Sequence, residues 1–282
     1  MPEAVLSLQA LWESAGAVLA AASIPEPRRE AIRLWSDLER TPSARAVLER
    51  AEPVGAERAE RFLAAVGRRA AGEPLAYVTG WTGFRHLELA CDRRALIPRP
   101  ETEELVGRAL ALTSRGVAAD IGTGTGAIAL SLATEGGFDR VIGTDLSPDA
   151  LALATENGVC IGARVEWRLG DLLAPLAGES VDLLVSNPPY LTAAELRALD
   201  ASVAAWEPHL ALASGADGLD AVRGLLDGAR SVVRSGGWLA LELDCHRAPL
   251  VASLAESLGW REVGIHQDLF GRDRFCTARW EG

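Results

Sequence analysis

The amino-acid sequence predicts an α/β fold in which a mostly parallel sheet follows a small bundle of helices. Three observations predict it. Strand-like and helix-like segments alternate from about residue 99 onward, the pattern that places helices on both faces of a parallel sheet. A glycine-rich turn, DIGTGTGAIAL, joins the first of these strands to a helix. Ahead of them, over residues 1–74, apolar residues recur at helical spacing. With 282 residues, 49% of them hydrophobic, the chain can fill one large core and one small one.

The helical part covers residues 1–74. Val5, Leu8, Trp12, Ala15 and Leu19 share one face of a first helix, Ile32, Trp35 and Leu38 that of a second, and Ala59, Phe62 and Val66 that of another. Pro25, Pro27, Pro42, Pro53 and Gly72 punctuate these segments, and no chemistry is visible in them. Residues 75–98, which include YVTGWTGFRHLELACDRRALI, carry aromatic and alternating residues around Gly80 and Gly83 and predict a linking β-hairpin.

The α/β part covers residues 99–282. Pro100 suits a first helical position, and Glu101, Glu103 and Glu104 follow where carboxylates complement the positive helix end, so this acidic cluster reads as helix-start chemistry rather than a metal site. VAADI, RVIGTD, VEWRL, VDLLVS and GWLALEL are the strands that follow. SPDALALATENG is a helix between them, with Ser147 as N-cap, Pro148 behind it and Gly158 as its stop. EVGIHQ and RFCTARW, joined by DLFGRD, close the sheet as a hairpin and bring it to seven strands.

Composition removes several function classes. A net charge of −11 and a pI near 5.0 supply no electrostatic footprint for a nucleic-acid backbone, so no direct nucleic-acid binding is expected. Every basic residue is arginine, which rules out a lysine Schiff base or a P-loop lysine. Cys91, Cys160, Cys245 and Cys276 are scattered without a CxxC pair and the four histidines are as dispersed, so no metal is expected and a reducing compartment fits. Glu3 and Glu13 precede the first arginine, Arg28, which is not how a signal peptide begins, and no apolar run approaches a membrane span. A cytoplasmic protein with no membrane partner is expected.

In an open parallel sheet the ligand lies off the carboxyl ends of the strands. The first strand ends at Gly122, Gly124 and Gly126, which allow a tight turn and a close backbone approach to a ligand, although Gly122, Gly124 and Ala127 also fit a dinucleotide-binding turn. The second ends at Asp145, where a carboxylate can accept bonds from a ribose diol. Asp171 ends the third, near where an adenine amino group could be read, and it stands equally well as an ordinary turn residue.

The fourth strand ends in SNPPYL, where Asn187, Pro188, Pro189 and Tyr190 interrupt an apolar run. Alone the tetrapeptide is a rigid surface turn; after a buried strand and beside the glycine turn it has a chemical reading. A planar nitrogen, as in a carboxamide or an adenine amino group, is a poor nucleophile. Two acceptors on its hydrogens, the Asn187 amide oxygen and the Pro188 carbonyl, draw electron density onto it and favour its pyramidal form. Proline offers no competing N–H, the diproline pre-positions both acceptors, and Tyr190 can pack its face on the planar group. Attack needs no prior general base, because the proton becomes acidic once the nitrogen carries positive charge.

The stretches EPLAYVTG, LIPRPETEELV, DIGTGTGAIALSLA, TDLSPDAL, SNPPYL, EPHLAL and DLFGRDR resemble, over nearly the whole chain, the HemK/PrmC family of release-factor glutamine methyltransferases. The resemblance implies a helical substrate-recognition domain, a hairpin, and a Rossmann-like class I catalytic domain dependent on S-adenosyl-L-methionine. It implies release factors as partners, with the glutamine of their Gly-Gly-Gln motif as substrate. By position, Gly122, Thr123, Gly124, Thr125 and Gly126 would line the methionine end of the cofactor, Asp145 would hold its ribose, and Leu172 after Asp171 falls where relatives often place an aromatic residue by the adenine. Asn187, Pro188, Pro189 and Tyr190 would hold the glutamine amide. The chain departs from the family's usual pattern at Asp244 and Arg247, where glycine and glutamine are usual, and at Ser202, Val203 and Ala204. Methylation of a ribosomal-protein glutamine or of adenine uses the same Asn-Pro-Pro-Tyr logic; the intact NPPY and glycine loop argue against a non-catalytic binding module on the same fold, and an NAD oxidoreductase ranks lower still, since nothing resembles a hydride-transfer site.

Overall fold

The computed structural model describes residues 6–199 and 205–282; Glu3, Val5, Ser202, Val203 and Ala204 lie outside them. Cα proximity divides the chain into one unit of Met1–Gly80 with Ala201–Trp206 and another of Trp81–Asp200 with Glu207–Gly282.

The first unit contains helices α1 (Leu8–Ala21), α2 (Pro27–Leu38), α3 (Ser43–Leu48), α4 (Ala56–Ala70) and α5 (Leu75–Thr79). Ser7 caps α1 by accepting the Ala10 N–H, the expected use of a serine at that position. The helical spacing is realised as a core: Leu8, Trp12, Ala15 and Leu19 are buried against Trp35 of α2 and Phe62 and Val66 of α4. Trp35 and Phe62 meet edge to face with ring centroids 5.3 Å apart, a geometry that suits the aromatic quadrupole. Arg69 of α4 is tied to Glu30 of α2 at 2.7 Å.

The hairpin expected over 75–98 is narrower than that range. Pro74 accepts the N–H groups of Tyr77 and Val78, starting α5, and Gly80 ends it in the left-handed region at φ +81°. The two strands are β1 (Trp81–Phe84) and β2 (Leu87–Ala90), paired antiparallel.

In the second unit seven strands form one sheet: β3 (Arg115–Ile121), β4 (Gly137–Asp145), β5 (Glu166–Leu169), β6 (Val181–Ser186), β7 (Val233–Glu242), β8 (Arg261–Gln267) and β9 (Asp273–Arg279). Their order is β5-β4-β3-β6-β7-β9-β8, with β9 antiparallel to both neighbours and the other pairings parallel. The chain runs outward from β3 to one edge and then returns to build from β6 towards the other. That reversal opens a crevice at the carboxyl ends of β3 and β6. Among the described residues, the unit's α-helices are α6 (Pro100–Leu112), α7 (Ala127–Glu135), α8 (Pro148–Ile161), α9 (Ala193–Arg197), α10 (Asp220–Gly228) and α11 (Ala248–Ser257).

Alternation along the strands divides the core between the two faces of the sheet. Ala119, Ile142, Leu184 and Leu239 pack with α10 and α11, whereas their neighbours Ala118, Val141, Leu183 and Ala240 pack with α6 and α7. Both sets are buried, which is why these strands read as continuous apolar runs. Trp260, fully buried, meets Trp280 with ring centroids 5.3 Å apart and planes tilted by 57°, and donates its indole N–H to the Leu226 carbonyl.

The predicted stop of α8 at Gly158 is four residues early. The helix continues to Ile161 and ends where Gly162 takes φ +75° and bonds the Gly158 and Val159 carbonyls. Gly158 is instead buried within the helix, where an added Cβ would meet the Trp167 ring at 3.5 Å.

Candidate active site

Two strand ends and the turns behind them build the crevice. After β3, the turn carries Gly122, Gly124 and Gly126 at φ +72°, +56° and +85°, a conformation that side chains resist. An added Cβ on Gly122 would meet nothing within 4 Å, whereas one on Gly126 would lie 3.0–3.2 Å from Leu130, Trp167 and Ala154. The first glycine therefore faces open space and the last lets α7 approach the sheet.

Two carboxylates brace this turn, one buried behind it and one on the cavity wall. Asp120, fully buried, accepts from the Thr123 hydroxyl at 2.5 Å and the Ala129 N–H at 3.1 Å, while burial pushes its carboxyl up to about 7. Asp145 accepts from the Gly124 N–H with one oxygen and the Ser147 N–H with the other, both at 2.9 Å. Gly122 and Thr123 donate to the Thr144 carbonyl, so β4 holds the turn by main chain and side chain together.

After β6, the segment from Asn187 to Tyr190 leaves the sheet with no regular secondary structure. Leu191 then pins it by exchanging bonds with Leu212 and Ser214. The Asn187 side chain is held at its nitrogen: Nδ2 donates to Thr102 Oγ1 at 3.1 Å, and that hydroxyl donates to Glu242 Oε2 at 2.8 Å. Among the described residues no donor reaches Asn187 Oδ1. Burial raises the Tyr190 phenol above its ordinary range, with Glu242 adding to the effect. Arg247 ties down the chain that follows, pairing with both oxygens of Glu195 in α9 at 2.8 and 3.0 Å and donating to the Asp217 carbonyl at 2.7 Å.

A cavity of about 420 Å³ lies between the two halves, a volume suited to a cofactor-sized molecule. Gly122, Gly124, Asp145, Asp171, Leu172, Asn187, Pro188 and Pro189 are on its wall. Thr123, Thr125, Gly126 and Tyr190 stand behind it: Thr125 presents its carbonyl to Asn157 Nδ2 at 2.9 Å, and the Tyr190 carbonyl lies against Gly218. The wall also holds residues that sequence reasoning does not single out, among them Arg94, Ala95 and Leu96 from the RRALIP stretch and the 213–215 turn. Sequence reasoning misses Thr102 and Glu242 as well. Their signals are a hydroxyl set among the glutamates of PETEE and a lone carboxylate in the apolar strand WLALEL.

Asp244, Cys245 and His246 bring one ligand atom each to within 4.8 Å of one another, but none lies on the cavity wall and Asp244 is committed to Arg247 at 2.9 Å.

Comparison with known proteins bears directly on this cleft. Residues 10–80 match the family model described as the PrmC N-terminal domain, and residues 102–210 match the methyltransferase small domain. The release factor glutamine methyltransferase of Cereibacter sphaeroides is 45% identical over 263 residues, 93% of this chain and 94% of that protein. The protein of the same name from Deinococcus radiodurans is 40% identical over 280 residues, 98% of this chain and 100% of its own length. The chain belongs to the release factor glutamine methyltransferase family. Solved structures agree on the fold of this family member. A Pyrococcus furiosus methyltransferase matches with a TM-score of 0.54 at 19% identity, covering 81% of this chain and all of that one. A Thermus thermophilus 16S rRNA methyltransferase, solved with AdoMet and guanosine, gives 0.51 at 18% identity, covering 71% of this chain and 50% of that one. The methyltransferase carries no helix, among the described residues, long and apolar enough to cross a membrane.

Proposed function

We propose that this enzyme transfers a methyl group from S-adenosyl-L-methionine to the side-chain amide nitrogen of the glutamine in the Gly-Gly-Gln motif of peptide-chain release factors. The observation that carries the reading is Asn187: its nitrogen is tied down inside the protein, so its oxygen is the end that remains for a ligand beside the cavity.

The residues present fit the cofactor. Gly122 offers a backbone that a ligand can approach without meeting a side chain, and Asp145 retains lone pairs for a ribose diol after accepting two N–H groups. Asp171 and Leu172 would bound the adenine. Thr123, Thr125 and Gly126 act from behind by shaping the loop. When bound, the cofactor supplies an activated methyl group on a sulfonium.

The protein's part is to make an amide nitrogen nucleophilic and to aim it. Asn187 Oδ1 and the Pro188 carbonyl accept the two amide hydrogens of the substrate, Pro189 stiffens the segment, and Tyr190 backs the planar group. Held this way, the nitrogen loses conjugation with its carbonyl and presents its lone pair to the methyl group. The proton leaves after transfer, when the nitrogen is positively charged. The first unit, matched by the PrmC N-terminal model, would contact the release factor away from the reacting amide.

The test is mass spectrometry of unmethylated release factor after incubation with the enzyme and S-adenosyl-L-methionine. One added methyl on the Gly-Gly-Gln glutamine is expected. An unchanged release factor alongside a methylated ribosomal-protein glutamine or adenine would overturn the substrate assignment.

A further inference from the structure

An asparagine side chain is almost symmetric in shape, yet the proposed chemistry needs its oxygen, not its NH₂ group, turned towards the substrate. The reversed amide would set its own hydrogens against those of a nitrogen whose N–H groups need acceptors to gain electron density. Something has to decide which way round the group stands.

From this geometry we infer that Thr102 and Glu242 are positioning residues that fix the orientation of the Asn187 amide; the inference rests on the function proposed above. Thr102 sits in the first turn of α6 and is 4% exposed; Glu242 ends β7 and is 2% exposed. The polarity of the chain of bonds follows from counting hydrogens. A carboxylate has none, so across the 2.8 Å contact the Thr102 hydroxyl must be the donor. Having spent its one hydrogen, that hydroxyl can only accept at its other contact. The group 3.1 Å away on Asn187 must therefore be N–H, which leaves Oδ1 towards the cleft. With the amide reversed, two oxygens would face each other, neither with a hydrogen to share, across a part-buried contact.

This order holds only while Glu242 is ionised. Burial pushes its carboxyl up to about 7, with Glu101 adding to the rise, while Thr102 together with Arg274 of β9 and Arg99 ahead of α6 act the other way. Tyr190 faces it from the segment after β6. Once protonated, Glu242 can donate to Thr102 Oγ1. The Thr102 hydrogen is then free to point at Asn187, and either amide orientation is satisfied.

The experiment compares full-length wild type with T102V, T102S, E242Q and N187A, measuring methyl transfer to a release factor, cofactor affinity by calorimetry, and the Asn187 side-chain NH₂ resonances. T102V, close to isosteric, is expected to lower kcat roughly ten- to hundredfold, the span of one lost buried hydrogen bond, with cofactor affinity changed less than about twofold. T102S keeps the hydroxyl and should restore most of the rate. Wild-type kcat should fall as pH drops through about 7, with the Asn187 NH₂ signals titrating in step. E242Q, which can donate or accept at any pH, should lack both the pH limb and the titration. Wild-type kcat in T102V, equal loss in T102S and T102V, or an unchanged pH limb in E242Q would each overturn the inference while N187A remains inactive. An active N187A would instead overturn the proposed function, and the inference with it.

Discussion

The two halves of the cleft are built in different ways. The glycine-turn half is assembled from neighbours: Gly124 bonds Asp145 21 residues on, Asp145 bonds Ser147 two residues on, and Asp120 bonds Thr123 three residues on. The Asn187 half is assembled from distance, with Thr102 85 residues away and Glu242 140 residues from Thr102. A half made of main chain and short-range braces holds a ligand by shape. A half whose asparagine amide is held through buried side chains from two other elements sets the direction of a dipole. On the function proposed above, the first would suit a cofactor that is the same in every cycle and the second the demand of the reacting amide.

That division makes separable predictions. The largest effect is expected for Asn187→Ala, which should lower kcat about 10³-fold, as loss of a preorganised polar contact to a reacting group does, while cofactor affinity falls less than about threefold. Single-turnover kinetics beside calorimetry checks it, and near-normal turnover would break the comparison. Asp145→Ala should act on the other half, weakening cofactor affinity ~10–100-fold through loss of charge-assisted hydrogen bonds and of the brace on Gly124. At saturating cofactor its kcat should recover most of the way. Equal losses in kcat and affinity would show that the halves are not separable.

A smaller effect is expected for Gly126→Ala. The position has φ +85°, and the new methyl would lie 3.0–3.2 Å from three neighbours, so the variant should lose about 1–2 kcal/mol of stability in urea unfolding. A midpoint unchanged from wild type would remove the packing role given to this glycine.

The smallest concerns Arg247, which the sequence reading marks as a departure from the pattern the family resemblance implies. Its partner Glu195 is held down at about 2, first by the Thr192 N–H and next by Arg247 itself. A depressed carboxylate stabilises the fold at pH above its unfolded value, and that contribution disappears as pH falls towards the folded one. Arg247→Gln removes only the arginine part of it, from a half-exposed carboxylate, so the shift should be slight. The difference in urea midpoint between variant and wild type should be greatest near pH 7 and close between about pH 5 and 2. A difference independent of pH would mean that Arg247 acts through its bond to the Asp217 carbonyl instead.

Much of the fold is legible in residue order alone. Periodicity of 3.6 locates the apolar faces around Leu8, Trp12 and Phe62, and continuous apolar runs locate the sheet, because burial on one helix face or on both strand faces writes itself into the order of residues. Local rules fail where two signals compete, as at Gly158, which resembles a stop but is packing space for Trp167, and at Leu75–Thr79, where a proline and a left-handed glycine make one turn of helix. Glu101, Glu103 and Glu104 read as helix-start residues, and Glu101 and Glu104 do pair with Arg272 and Arg108. The threonine between Glu101 and Glu103 gives no comparable local signal, and its role appears only with its partners.

By itself, then, the sequence determined the α/β class, the strand ends at Gly122, Asp145 and Asn187, and the kind of chemistry an amide and a diproline can support, since each depends on residue type and short-range spacing. Only the tertiary structure decided that Thr102 meets Asn187, that Glu242 meets Thr102, and that Thr123, Thr125 and Tyr190 stand behind the cavity wall. The physical reason is that a hydrogen bond between residues 85 or 140 positions apart leaves no periodic trace in the chain. It comes into being when α6, β6 and β7 pack together and bury polar groups that must then find one another.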